Sequence, residues 1–458
     1  MMTGRIRRMR RVLTLILALS LLAAGPALAA PMVVSLDADQ LLVDVDGATV
    51  TELGRYDAVY PLAESFATGG DALFAAAGDN GKYALVNGGG KRLTDFAYEG
   101  LRLEQGCVVF TEGGRIGAMD AKGSVVVPAQ YTMLTPVGGG AFLALRTDPY
   151  DDAADGVYLV DAQGGEKATG AKVIYGLGAM SGGLIAATSS QDGRYGYLNA
   201  QGQWAIEPQY NYCGPFVGDY ADAAISAGVG IINRAGNWVV TPKYSSASVG
   251  YPDRGAPFVV FDQDGAVTLI SSSDFKAIET LRGDGIWAYA LDNGLVVASG
   301  GDRQTVYDYQ GQALFTLDAG WDLNAWASEG DLAIAVGGDW GDADTWLIDL
   351  TGQKVAGPYQ SLQRLGRLDG EPVFEYDTFE VMAVPSADGA TTYNQQRAGT
   401  FRAGVIDGTG KVLIEARYDS LVLVGDGVLR AETPQYFALL NFRGEELARL
   451  ERYGALLD

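Results

Sequence analysis

The sequence predicts an all-β chain of tandem antiparallel β-meander repeats, about eleven units of ~39 residues, forming a propeller-like or open β-repeat array. Three observations predict it. A short [ND]-x-x-G signature preceded by an apolar stretch recurs along the whole chain. Glycine is in excess, with 63 of 458 residues. Helical periodicity is nearly absent after the first thirty or so residues.

The signature is anchored at Asp44, Asn87, Asp120, Asp161, Asn199, Asn233, Asp308, Asp349, Asp407 and Asn441, each with glycine three residues on, and a degenerate copy falls at Ser271 to Asp274. One unit explains the rest. Tyr197-Leu198 leads into Asn199-Ala200-Gln201-Gly202, and Trp204-Ala205-Ile206 leads out. Asn and Asp side chains bond nearby backbone and favour turns, and glycine takes positive φ, so the pair reads as a tight hairpin. Pro208 ends that returning strand or places it at a sheet edge, and Tyr210 follows. A further apolar stretch, Asp222 to Ile225, precedes the next copy, so three or four strands fit each unit. One hairpin is marginal alone, and stacked copies supply a core. The glycine excess is then largely the turn requirement of about eleven hairpins.

Other segments punctuate the array. Residues 1–29 read as a secretory signal peptide: Arg5, Arg7, Arg8, Arg10 and Arg11, then the apolar run Val12 to Ala24, a Gly25-Pro26 break and the small-x-small site Ala27-Leu28-Ala29. That apolar run is too short to span a bilayer, and no second run of sufficient length follows, so no membrane span is expected after cleavage. The remaining chain divides at about residue 250 into an N-terminal part of the array, 30–250, and a more diverged part, 251–458. The interval after Asp349 is about 20 residues longer than the period, which places an insertion near 371–399, and Asp148 to Asp155 reads as a smaller acidic loop. Eleven units exceed the four to eight blades of ordinary closed propellers. A closed ring with flanking units, two successive arrays and an open superhelix all remain compatible with the pattern.

Composition narrows the chemistry. There is no histidine, which removes imidazole-based catalysis and histidine zinc sites, so no catalytic residue and no metal site are assigned. The two cysteines, Cys107 and Cys213, are too few for a cysteine metal site, and their different repeat phases favour two separate small buried side chains over a bridge. A formal charge of −23 argues against nucleic acid and anionic membrane partners and favours solubility. Asp262-Gln263-Asp264-Gly265 and Asp342-Ala343-Asp344 lack the oxygen set of a calcium loop, and Gly88-Gly89-Gly90-Lys91 and Gly138-Gly139-Gly140 lack phosphate-loop spacing, so all read as turns. No cofactor is implied. The one constellation suited to binding lies between Trp287 and Trp346. There Trp321, Trp326, Trp340 and Trp346 accompany Asp339 and Asp342, in a stretch with no basic residue between Arg303 and Lys354. Such an aromatic and acidic face suits sugar rings or a cationic partner, and packing between sheets is the alternative.

These units resemble the WG (KWG) repeat family of bacterial proteins, whose unit runs roughly W-G-[YF]-I-[DN]-x-x-G-x-[WI]-V-I-x-P-x-Y. The segments Tyr195-Gly196 through Pro208-Gln209-Tyr210, Val229-Gly230 through Pro242-Lys243-Tyr244, Ile116-Gly117 through Tyr131, and Ala403-Gly404 through Tyr418 carry the resemblance. Tyr195, Val229, Ile116 and Ala403 stand where the family has tryptophan, so the chain resembles a diverged member. The resemblance implies antiparallel β repeats and no common enzymatic activity. The expected role is an exported, non-catalytic scaffold that binds a protein or cell-envelope glycan partner. A carbohydrate-binding protein or a carboxylate-dependent glycan-active enzyme is the alternative.

Overall fold

The computed structural model describes residues 30–36, 39–46, 49–62, 72–147, 155–175, 183–283, 285–329, 331–338, 344–385, 392–425 and 427–451. The expected signal peptide (1–29) and most of the acidic loop after Asp148 lie outside them. The described chain is nearly all β, in small antiparallel sheets arranged as a ten-bladed β-propeller. In residue numbers the blades span 58–87, 100–131, 133–168, 171–210, 212–244, 246–281, 287–316, 321–359, 361–418 and 420–451, and are called blades 1 to 10. Blade 1 has three strands and the others four, hydrogen-bonded in chain order. A further three-stranded sheet, Ala30–Leu36, Asp39–Asp46 and Thr49–Tyr56, precedes blade 1.

The turn after the third strand is built as the sequence implies. At Asn87, Asp120, Asp161, Asn199, Asn233, Asp308, Asp349, Asp407 and Asn441 the backbone carbonyl accepts from the glycine three residues later. In each, the side-chain Oδ1 accepts two further backbone N–H groups; at Asn199 these come from Gln201 (2.9 Å) and Gln203 (3.0 Å). The glycine takes φ of 66° at Gly202, the left-handed value the turn requires. The degenerate copy at Ser271 is one residue longer. Its N–H to carbonyl bond comes from Phe275, which adopts φ 60° in place of glycine. The copy at Asp44 departs from the pattern: Asp44 pairs with Thr51 inside the ladder, so that hairpin closes after Asp46.

The glycine after Tyr195 has a separate cause. The fourth strand of blade 4, Trp204–Tyr210, continues through Pro208 rather than ending there, because the ladder slips between Ile206 and Tyr210. Proline has no N–H to donate, and a bulge in an edge strand accommodates it. The bulged backbone crosses directly over Gly196, where a Cβ would stand 2.5 Å from the Ile206 carbonyl oxygen. Gly117, Gly230 and Gly404 meet the same obstruction. In blade 8 the matching position is Trp346, and the glycine moves to the other strand: Gly357 precedes Pro358, and a Cβ there would lie 2.8 Å from the Thr345 carbonyl oxygen.

A tyrosine at the end of the fourth strand closes five of the blades, within Pro-x-Tyr at Tyr210 and Tyr244. After Tyr131, Tyr210, Tyr244, Tyr359 and Tyr418 one residue leads into the first strand of the next blade. The N–H of that residue bonds the next blade's second strand, as Asn211 does to the Ala224 carbonyl at 2.8 Å. Tyr131, Tyr210 and Tyr418 are fully buried between the two blades. Burying a ring of this size contributes roughly 1.5–3 kcal/mol. The cores therefore lie between sheets: Ala186, Tyr197 and Ile206 of blade 4 pack on Ala221, Ala223 and Ile232 of blade 5, and comparable clusters join the other neighbours.

The sheet 30–56 links the two ends. Leu42 packs in one cluster with Val59, Phe74 and Val86 of blade 1, and the Val59 N–H donates to Gln40 Oε1 at 2.6 Å. On the other side Arg430 of blade 10 donates to the Val33 carbonyl at 3.3 Å. Of the arrangements compatible with the sequence, the structure is the closed ring, with the additional sheet 30–56 bridging its ends.

Two features of the second half refine the segmentation. Residues 249–257, with a short 3-10 turn at Pro252–Arg254, connect the first two strands of blade 6. Glu371–Thr378 is the regular second strand of blade 9, and the extra residues form a separate hairpin, Val381–Pro385 paired with Thr392–Gln396.

Candidate functional site

Blade 8 carries the predicted aromatic patch. Its first strand, Trp321–Glu329, contains Trp321 and Trp326, and its third strand, Asp344–Asp349, contains Trp346. Asp339, Trp340 and Asp342 lie outside the described residues, and the side chain of Trp326 is likewise not described. Trp321 pairs with Gly337, where any Cβ would sit 2.3 Å from the indole, so the ring lies flat across the second strand. Ala335 pairs with Trp346 on the next rung but one, and both indoles emerge half-buried at the edge of the blade 7/8 core. The structure brings Trp321 and Trp346 together around the chain's own cation. Lys354 Nζ lies 4.9 Å from the Trp321 ring and 4.1 Å from the Trp346 ring. The ammonium is thus held by cation–π attraction to two half-buried indoles, of which Trp346 buries its Nε1.

The second strands hold polar residues that motif reading missed. Opposite the residue two places before each turn, seven blades carry Ala75, Val109, Leu143, Ala186, Val259, Val297 and Ile334. Blades 5, 9 and 10 carry Asp222, Glu375 and Arg430 there. The flanking residues, such as Ala221 and Ala223, face the preceding blade, so these three charges face the next sheet. The available signal was a single charge inside an apolar strand: Ala221-Asp222-Ala223, Phe374-Glu375-Tyr376, Leu429-Arg430-Ala431.

Each is treated differently. Burial pushes the Glu375 carboxyl up to about 7, opposed by a 2.6 Å hydrogen bond from Gln363 Nε2 and reinforced by the neighbouring Asp377. Burial likewise raises Asp377, which accepts from Ser361 Oγ at 2.5 Å. Arg430 pairs with Glu432 at 2.7 Å and reaches Val33. Burial raises Asp222, with a hydrogen bond from Tyr212 working against the rise.

The other sequence candidates are structural. Asp262 to Gly265 is a turn in which Asp262 accepts from Thr268 Oγ1 at 3.1 Å and Asp264 pairs with Arg282 at 3.2 Å. Cys107 and Cys213 are separate free thiols; burial pushes Cys213 up to about 12. Among the described residues no group of three or more acids and cysteines is placed to hold a metal ion, and no helix is long and apolar enough to cross a membrane.

No curated protein matches the chain. Among solved structures, the computationally designed Ika8 protein is 14% identical, with a TM-score of 0.30, over 63% of this chain and 96% of the other. Hsv2 of Kluyveromyces lactis is 10% identical, with a TM-score of 0.28, over 64% and 95%. BamB from Moraxella catarrhalis is 13% identical, with a TM-score of 0.24, over 70% and 93%. A family model described as WG containing repeat matches residues 195–224, 230–249 and 404–431, which run across blades 4 and 5, blades 5 and 6, and blades 9 and 10. The chain therefore carries the WG repeat at three places, on segments whose glycine and tyrosine, and in the first two the proline, the blade geometry explains.

Proposed function

We propose that this chain is an exported, non-catalytic scaffold that binds a protein or glycan partner at the cell envelope. The observation that carries it is the Trp321–Lys354–Trp346 cluster, an aromatic and cationic platform fixed on a rigid sheet. Aromatic side chains held without conformational freedom are the usual anchors of interfaces. The turns saturate their own backbone groups, so exposed residues vary from blade to blade without loss of the frame. Export rests on the signal-like residues 1–29. The glycan-active enzyme finds less support: the most strongly raised carboxyl, Glu375, is buried and faces Asp377 on its own strand rather than across a cleft. Affinity capture of envelope proteins and glycans with the chain lacking residues 1–29 tests the reading. Reproducible capture that Trp321→Ala and Trp346→Ala each weaken supports it; no partner, together with hydrolysis of a glycan, overturns it.

A further inference from the structure

The blade 5 member of the charged trio faces a cavity. Seven blades fill this position with an apolar side chain against the next sheet; blade 5 has Asp222. The first strands that should cover it are cut short: Tyr212–Cys213 in blade 5 has two residues and Ser246–Ser248 in blade 6 has three, against eight in blade 9. The chain then leaves the ladder at Gly214-Pro215 and again at Val249-Gly250-Tyr251. A pocket of about 920 Å³ results, lined by Asp222, Ser248, Tyr251, Tyr289, Asp292 and Arg364, among others. Arg364 comes from the first strand of blade 9, which places that strand across the ring from blades 5 to 7. A volume of this size lies within the range of small-molecule sites.

We propose that this pocket binds a neutral, polyhydroxylated ligand of the size of a short oligosaccharide. Both signs of charge line it, so it presents no net field for an ion of either sign. Asp292 is paired with Arg254 at 2.9 Å, which leaves the charge of Asp222 to stand against that of Arg364. Asp222 is held in a fixed place. A Cβ at Gly214 would come within 1.9 Å of its Oδ1, so only glycine leaves room for the carboxyl, and the Gly214 N–H bonds the Asp222 carbonyl at 2.9 Å. Carboxyl, guanidinium and hydroxyl groups serve sugar hydroxyls as acceptors and donors, and the rings of Tyr251 and of Tyr289, one face of which stacks on Trp287, add apolar lining against a sugar ring. The site is separate from the blade 8 platform, and its existence does not depend on the partner bound there.

The test is titration calorimetry of the chain against glucose, N-acetylglucosamine, cellotriose and chitotriose, with phosphate and spermidine as charged probes. At least one saccharide is expected to bind, with Tyr251→Ala and Asp222→Ala each weakening it about tenfold or more and Val125→Ala, exposed on blade 2, leaving it unchanged. Tyr251 is exposed, so its variant decides the matter if Asp222→Ala fails to fold. Asp222→Asn, which keeps shape and hydrogen bonding, should retain most of the affinity. The proposal is overturned if no saccharide binds, if a charged probe binds in preference, or if Tyr251→Ala leaves saccharide binding unchanged.

Discussion

The phenol of Tyr210 donates to the carbonyl oxygen of Gly236 at 2.7 Å, joining the end of blade 4 to the turn of blade 5. One residue of the repeat thereby ends its own blade, fills the core against the next, and ties down the next blade's turn. Tyr210→Phe should keep the packing and lose the bond, at a cost of about 1 kcal/mol. Tyr210→Ala should cost roughly 3–5 kcal/mol, as for other large core truncations. Denaturant unfolding of the two variants separates the terms, and equal losses would contradict this division.

Gly230→Ala places a methyl 2.4 Å from the Val240 carbonyl oxygen, so the bulged strand must shift. The expected cost exceeds about 2 kcal/mol. Gly106→Ala, in open space at φ 81°, should cost only about 1 kcal/mol from backbone strain. A thermal melt of both, with the larger loss at Gly230, checks the obstruction rather than glycine loss in general.

Asn199→Ala removes the acceptor for two turn N–H groups and should cost about 1 kcal/mol. Asn199→Asp should be nearly neutral, because Asp120, Asp161, Asp308, Asp349 and Asp407 make the same pair of bonds. Comparison of the two melting temperatures tests the turn chemistry.

These turns were legible because their chemistry is local: four consecutive residues and one side chain decide them. The Pro-x-Tyr segment was visible as a motif, but its meaning was not. Pro208 read as a strand end or an edge-strand position; the edge position holds, and only the bulge over Gly196 shows why glycine and proline recur together. Ring closure was not legible, since Arg430 and Val33 are 397 residues apart and no local pattern records their contact. Nor did the sequence reveal that Lys354 occupies the space between Trp321 and Trp346, which depends on the pairing of three strands. Asp222 was read as part of an apolar stretch. Its departure from the other blades emerges only when strand register aligns it with Ala186 and Val259.

The Glu375 carboxyl, ordinarily near 4.5, is pushed up to about 7 in the folded chain. The folded state then binds the proton more tightly than the unfolded state. Stability should rise as pH falls from about 7 to about 4.5, and the penalty should be fully present above 7. Glu375→Gln should therefore stabilise the chain at pH 8, by an amount on the order of 1–3 kcal/mol, and flatten this part of the profile. Unfolding measured at pH 5 and pH 8 for both proteins checks the sign; an unchanged pH dependence in Glu375→Gln would assign it elsewhere.

The closed ring of blades is the claim on which the rest depends, since it sets the first strand of blade 9 opposite the pocket of blades 5 to 7. Spin labels at the exposed positions Tyr60, in blade 1, and Val422, in blade 10, measure it directly by dipolar spectroscopy. With only the sheet 30–56 between these blades, and about 10 Å per packed sheet, the separation should be roughly 20–30 Å with a narrow distribution. An open stack would put nine junctions between them, and a distance on the order of 90 Å would contradict the closed ring.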